Sequence, residues 1–183
     1  MSRRSIVQGT IVLSSFLFLA FALPDDALSQ TSSAVATGVT SEADAIHQEA
    51  VALYTDPSRH GQAARLLRQE CELRAPEDPA TFRCLSMGAR LFYYTGELLD
   101  ARAMMEEAAD NALQRGDVMA AARSYLEAAS IALKQNRGEK KAAELIGKGR
   151  LLSSSPLLSD SQRGWIQAKI GVEAPGLASG ADR

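Results

Sequence analysis

The side chains in this sequence that could perform chemistry are few and far apart. His47 and His60 fall on different predicted helices, and neither belongs to an HExxH motif. A metal site or a general base needs groups that converge on one point, and the pattern offers none. Glu106 and Glu107 resemble an acidic pair, but adjacent residues of a helix point about 100° apart. We therefore expect solvated side chains at these positions, and a chain that is not an enzyme and holds no metal or cofactor.

The two cysteines, Cys71 and Cys84, are the remaining reactive side chains. Neither has a plausible histidine partner, and the sequence contains no GxSxG motif, so nucleophilic catalysis has no support. Asp78 lies between them, at the turn of a predicted helix pair, which places the cysteines nearly opposite each other. A disulfide needs Cα atoms within about 7 Å, whereas helix axes lie about 8–10 Å apart, so only inward-facing positions can bridge. The pair is either a disulfide or two buried free thiols.

Residues that start and stop helices divide the chain into short segments. Asp56-Pro57 and Asp78-Pro79 each place an N-capping aspartate before a proline at the first helical position. Gly96, Gly116 and Gly138 mark turns between helices. The helices predicted in this way cover 41–54, 57–74, 79–95, 98–115, 117–135, 139–151 and 159–170. Because the central part is alanine-rich and poor in aromatic and β-branched residues, we predict an all-α fold.

The central pair of these helices has a regular pattern of large and small side chains. Its positions are Leu85, Ala89 and Phe92, the turn residue Gly96, and then Ala101, Met105 and Ala108. This order is similar to that of a tetratricopeptide repeat. It recurs at 126–149, and more loosely in the hairpin of 41–54 and 57–74. The resemblance implies a right-handed α–α superhelix of about three hairpins over 41–171, with a C-terminal capping helix whose Trp165 covers the open end.

The resemblance also implies a binding groove, because the first helix of each repeat lines the concave face in that family. The positions that match its contact sites are Arg83, Ser86, Arg90, Tyr93 and Tyr94, then Ser124, Glu127, Ile131, Lys134 and Gln135. Arg83 and Arg90 are two helical turns apart and project on the same side. With Lys134 they could hold an acidic side chain or a C-terminal carboxylate. The alternative is that these cations are ordinary solubilising charge.

Two functions fit this architecture. The first is an exported, non-catalytic scaffold that holds a protein or peptide partner, acidic in part, in the groove. The second is a self-associating structural component of the cell envelope, with the convex helices as its interface. The sequence leaves the oligomeric state open. A net charge of −2 argues against a nucleic-acid partner, which would require a basic face.

The N-terminal segment, 1–29, is typical of a secretory signal peptide. Arg3 and Arg4 precede the apolar run 11–23, Pro24 interrupts it, and Ala27-Leu28-Ser29 offers a cleavage site. The apolar run is shorter than the ~20 residues of a membrane-spanning helix, so we expect cleavage rather than an uncleaved anchor.

The mature chain would then begin near Gln30, in the periplasm or outside the cell, with no stable membrane span. Segments 30–40 and 172–183 consist largely of small and polar residues, and we expect disordered tails there.

Overall fold

A computed structural model of the chain describes residues 41–173, and within that range the protein is helical and contains no strand. Helix α1 covers 41–54, and a 3₁₀ turn at Pro57–Arg59 follows it. The remaining helices are α2 (His60–Leu73), α3 (Pro79–Thr95), α4 (Leu98–Gln114), α5 (Val118–Leu133), α6 (Glu139–Ser153) and α7 (Asp160–Glu173). The all-α class predicted from the sequence is confirmed. The predicted signal peptide and the lead-in at 30–40 lie outside the described residues.

Side chains that cap helix N-termini set where several helices begin. The Asp78 carboxylate accepts a hydrogen bond of 2.8 Å from the backbone N–H two residues on, and the Asp117 carboxylate accepts one of 3.0 Å from the N–H three residues on. The Ser159 and Gln162 side chains accept hydrogen bonds from each other's backbone N–H groups and so form a capping box. α7 also extends through residues 172 and 173, which the sequence analysis assigned to the tail.

Two glycines end helices in the conformation that the sequence predicts for them. Gly96 has φ of 83° and Gly116 has φ of 75°, the left-handed region that glycine adopts without a steric penalty. The resulting turns are short, so α3, α4 and α5 run in alternating directions and each packs against the next along the chain. α7 packs on both α5 and α6.

Small residues at the helix contacts allow the backbones to approach closely. Ala101 and Ala108 of α4 are fully buried. A Cβ placed on Gly88 of α3 would come within 2.5 Å of the Met104 side chain, so a larger residue there would have to displace that buried side chain. At the C-terminal end Ile166 is fully buried, whereas Trp165 remains 37% exposed. The residue that closes the end of the stack is therefore Ile166 rather than Trp165.

A disulfide joins α2 to α3. Cys71 and Cys84 are bonded, with their Cα atoms 5.8 Å apart, and Cys84 is fully buried in the core. Of the two alternatives that the sequence left open, the structure has the disulfide. Such a bond is compatible with an oxidising compartment.

A network of charged side chains holds α1 against the rest of the chain. Glu70 of α2 is only 1% exposed, and its two carboxylate oxygens are bonded by the Arg74 guanidinium at 2.7 Å and by the His47 ring at 2.8 Å. Arg74 also bonds Asp44 of α1 at 2.7 Å and Asp78 at 3.1 Å. Burial alone would lower the pKa of Arg74, but these three carboxylates together raise it. His47 is therefore part of a helix contact, and its assignment as a solvated side chain is wrong.

Candidate binding cleft

Two adjoining cavities lie between α3 and α5, with Met105 of α4 at the boundary between them. We call them together the cleft. The first measures about 340 Å³ and extends from Ser86 to Gln162 at the start of α7. The second measures about 260 Å³ and is lined by Tyr93 and other side chains towards the ends of α3 and α5. The predicted groove residues that line the cleft are Ser86, Arg90, Tyr93, Tyr94, Ser124, Glu127, Ile131 and Lys134.

Arg83 and Gln135 lie outside the cleft. Arg83 belongs to α3 but lines neither of its cavities. Gln135 instead ties the end of α5 to α4, since its amide donates to the Leu98 carbonyl at 2.7 Å and accepts from Arg102 at 3.2 Å.

Charges of opposite sign meet in the middle of the cleft. The Glu127 carboxylate of α5 lies 3.6 Å from the Arg90 guanidinium of α3 and 3.6 Å from Arg123, one turn earlier on its own helix. Arg90 is 55% and Arg123 60% exposed, so both stay accessible from solvent. A ligand carboxylate that approaches Arg90 has to compete with Glu127 for it.

Lys134 makes a different kind of contact at the far end of the cleft. Its ammonium donates a hydrogen bond to the Tyr93 hydroxyl and lies 4.6 Å from the centroid of the Tyr93 ring. Tyr93 in turn packs edge-on against Tyr94, with ring centroids 5.8 Å apart. The cleft therefore ends in aromatic rings beside a cation, whereas its middle is an ion pair.

The aromatic surface continues beyond the cleft. The His60 ring at the start of α2 lies 6.2 Å from the Tyr94 ring and 5.8 Å from the Tyr54 ring at the end of α1. We call Tyr54, His60, Tyr94 and Tyr93 the aromatic ridge. The repeat pattern did not identify Tyr54 and His60 as members of a surface. A signal was present, since Tyr54, Tyr94 and Lys134 follow one another at equal intervals in the sequence.

Both residues of the acidic pair at 106–107 form ion pairs with side chains of neighbouring helices. Glu106 bonds Arg102 and lies 2.8 Å from the Lys141 ammonium of α6, with only 17% of its side chain exposed. Its assignment as solvated is therefore wrong. Glu107 is 46% exposed and lies 3.0 Å from Arg68 of α2.

Shifted pKa values also occur outside the cleft. A hydrogen bond to Glu106 raises the pKa of Lys141, while burial and then the Asp110 carboxylate raise the pKa of Tyr125. Among the described residues, no cluster of three or more histidine, cysteine, aspartate or glutamate side chains could hold a metal ion. Between residues 41 and 173, no helix combines the length and apolarity needed to span a membrane.

No protein-family model matches the sequence, and no curated protein or solved structure is significantly similar to the chain. The cleft and the ridge therefore have to be interpreted from their own chemistry.

Proposed function

We propose that this chain is an exported, non-catalytic helical-repeat protein, similar in architecture to tetratricopeptide repeats, and that it binds a segment of a protein partner in the cleft. The observation that carries the proposal is the placement of the groove residues expected from the repeat pattern. Most of them line one cleft between α3 and α5, although the whole of α4 separates these two helices in the sequence.

The composition of the cleft supports a peptide as its ligand. Its walls combine apolar side chains such as Met105 and Ile131 with the exposed guanidinium of Arg90 and the phenols of Tyr93 and Tyr94. A few polar groups among apolar ones give both affinity and orientation to a bound segment. The Cys71–Cys84 disulfide supports export, because such bonds persist in oxidising compartments.

Site-specific photocrosslinking in the native host tests this function. A photoreactive amino acid at Ser130, which lines the cleft, should give a discrete adduct with a partner protein. The same probe at Lys140, an exposed position on α6, is the matched control and should give none. Equal adducts from the two positions, or none from Ser130, would refute binding in the cleft.

The alternative function is a self-associating component of the cell envelope. Several exposed apolar side chains support it, because they could form an interface between copies of the chain. Leu99 of α4 is 67% exposed and Leu151 of α6 is 74% exposed. Size-exclusion chromatography of residues 30–183 separates the two functions. A monomer at micromolar concentration supports the scaffold. A stable oligomer supports the structural component, and the photoreactive residue at Lys140 should then crosslink two copies of the chain.

A further inference from the structure

Near the end of the first helix of each successive helix pair lies a residue that belongs to the aromatic ridge or is the cation beside it. Tyr54 lies at the end of α1, Tyr94 at the end of α3, and Lys134 directly after α5. Ring contacts connect them in that order, through His60 between the two tyrosines and through Tyr93 before Lys134. The ridge therefore runs across the helices, from one pair to the next, rather than along one helix.

The tyrosines at the ends of the helices are available to a ligand. The exposed fraction is 46% for Tyr54 and 65% for Tyr94, both large for aromatic residues. Each ring offers an apolar face and a hydroxyl that can bond a peptide carbonyl. Exposed aromatic rings in a row are the surface that recognises polyproline II segments, because the proline rings of such segments pack against aromatic faces.

Charge distinguishes the two ends of the ridge. The Lys134 ammonium bonds the neutral Tyr93 hydroxyl, and within residues 41–173 no carboxylate forms an ion pair with it. Two nearby carboxylates lie beside arginines instead: Glu127 beside Arg90 and Arg123, and Glu97 beside Arg65 at 3.8 Å. The Lys134 end therefore suits an acidic side chain, whereas the other end presents the rings of Tyr54 and His60.

We propose that the ridge binds an extended proline-rich segment of the form Pro-x-x-Pro-x-x-Glu or -Asp. This inference rests on the peptide-binding function above and specifies the peptide. The first proline packs on Tyr54 and His60, the second on Tyr94, and the acidic residue pairs with Lys134.

The spacing of the ridge supports this register. A polyproline II helix rises about 3.1 Å per residue with three residues per turn, so every third side chain points the same way about 9 Å further on. Along the ridge, the centroid steps from Tyr54 to His60 and from His60 to Tyr94 are 5.8 and 6.2 Å, and Tyr93 links Tyr94 to the Lys134 ammonium by steps of 5.8 and 4.6 Å. Each interval can therefore accommodate one such turn. A bound β-strand would need a sheet edge, and the part of the chain that the structure describes contains no strand.

Fluorescence anisotropy with labelled synthetic peptides tests the proposal on the chain from residue 30 to 183. The probe carries prolines at positions 1 and 4 and glutamate at position 7. One control peptide has the same composition with the second proline moved by one residue, and the other has glutamine in place of glutamate. We expect the probe to bind at least about ten-fold more tightly than the shifted peptide, since only the probe places both prolines on rings.

Substitutions on the protein test the register. Tyr54→Ala and Tyr94→Ala should each weaken binding of the probe by about ten-fold, while Leu151→Ala, at a more exposed apolar position on α6, should leave it unchanged. Lys134→Gln should abolish the preference for glutamate over glutamine and leave the preference for proline spacing. Circular dichroism establishes that each variant keeps its helices.

The possible outcomes separate this inference from the function on which it rests. If the probe and the shifted peptide bind the wild-type chain equally, or neither binds, the proline-rich ligand is wrong, and this comparison does not depend on the fold of any variant. A partner crosslinked from Ser130 would then still uphold peptide binding in the cleft. If Tyr54→Ala and Tyr94→Ala bind the probe like the wild type, the ridge is not its site.

Discussion

At the scale of single residues, Glu70 shows how a buried charge can be accommodated in a small helical protein. An isolated buried carboxylate would be costly, but both oxygens of Glu70 are bonded, one to Arg74 and the other to His47. Removing one partner of such a pair usually destabilises a protein more than the pair stabilises it, because the remaining charge stays buried. Glu70 keeps both of these bonds only while α1, which carries His47, is docked against α2.

Asp78 gives this network a dependence on pH. The backbone N–H of Ala80, and then the Arg74 guanidinium, lower the pKa of Asp78. A carboxyl group with a lower pKa in the folded state stabilises the protein above the ordinary pKa of about 4, and this contribution is lost as the pH falls through the folded pKa. Asp78→Asn keeps an N-capping side chain but removes the charge.

We therefore expect the wild type to unfold at higher urea concentration than Asp78→Asn at pH 7, with a difference that is lost as the pH falls through the folded pKa of Asp78. Glu77→Gln changes an exposed carboxylate in the same loop and is the control. A difference that persisted unchanged in acid would mean that the Asp78 charge does not stabilise the fold.

The second prediction at the residue scale concerns the contribution of the disulfide to stability. Cys71 and Cys84 close a loop with a sequence separation of 13, for which the chain-entropy estimate is ~3 kcal/mol. Reduction should lower the melting temperature while the helical signal remains in the cold. Cys71→Ser, Cys84→Ser and the double variant should all match the reduced wild type, because the same bond is lost in each. A double variant clearly less stable than either single one would contradict this.

At the scale of helices, packing depends on small residues at a few inward positions. Ala101 is fully buried in α4, and Glu107 on the same helix is 46% exposed. Ala101→Leu should overpack the contact and lower the free energy of unfolding by ~1–3 kcal/mol. Glu107→Leu should change it by less than ~1 kcal/mol, because it removes an exposed ion pair. Chemical denaturation of the two variants measures both free energies of unfolding. Equal losses would mean that the face of α4 assigned to the core is wrong.

Helix ends were predictable from sequence because capping is local. Asp78, Asp117 and Ser159 bond backbone groups two or three residues away, so their role can be inferred from neighbouring residues. The contacts of Glu70 could not be inferred in this way. His47 is distant from Glu70 along the chain, and the pairing requires the register of α1 against α2.

The cleft was predictable only in part for the same reason. The repeat pattern identified which positions of α3 and α5 face a common space, including Arg90 and Tyr93. It did not reveal that Glu127 would pair with Arg90, or that Lys134 would bond Tyr93, because these contacts depend on the offset between two helices. The equal spacing of Tyr54, Tyr94 and Lys134 was visible in the sequence, but the contact of His60 with Tyr94 depends on how α2 packs on α3.

At the scale of the whole molecule, each helix packs mainly on its neighbours in sequence, so the two ends of the stack need separate means of closure. At the N-terminal end, α1 is held by charged side chains and by buried Ala50 and Leu53. At the C-terminal end, α7 buries Ile166 and Ile170. A stack of this kind can open locally at one end while the rest stays folded.

Ile166→Ala tests whether the C-terminal end opens on its own. Ile166 is fully buried, so the substitution leaves a cavity under α7 and should cost ~2–5 kcal/mol of local stability. Val172→Ala on the same helix changes a side chain that is 74% exposed and should alter stability by less than ~0.5 kcal/mol. Amide hydrogen exchange should show faster exchange in α6 and α7 of Ile166→Ala, with α2 and α3, joined by the disulfide, still protected. Equal loss of protection in all helices would show that the described part of the chain unfolds as a single unit, and that α7 is an integral part of one core rather than a separable cap.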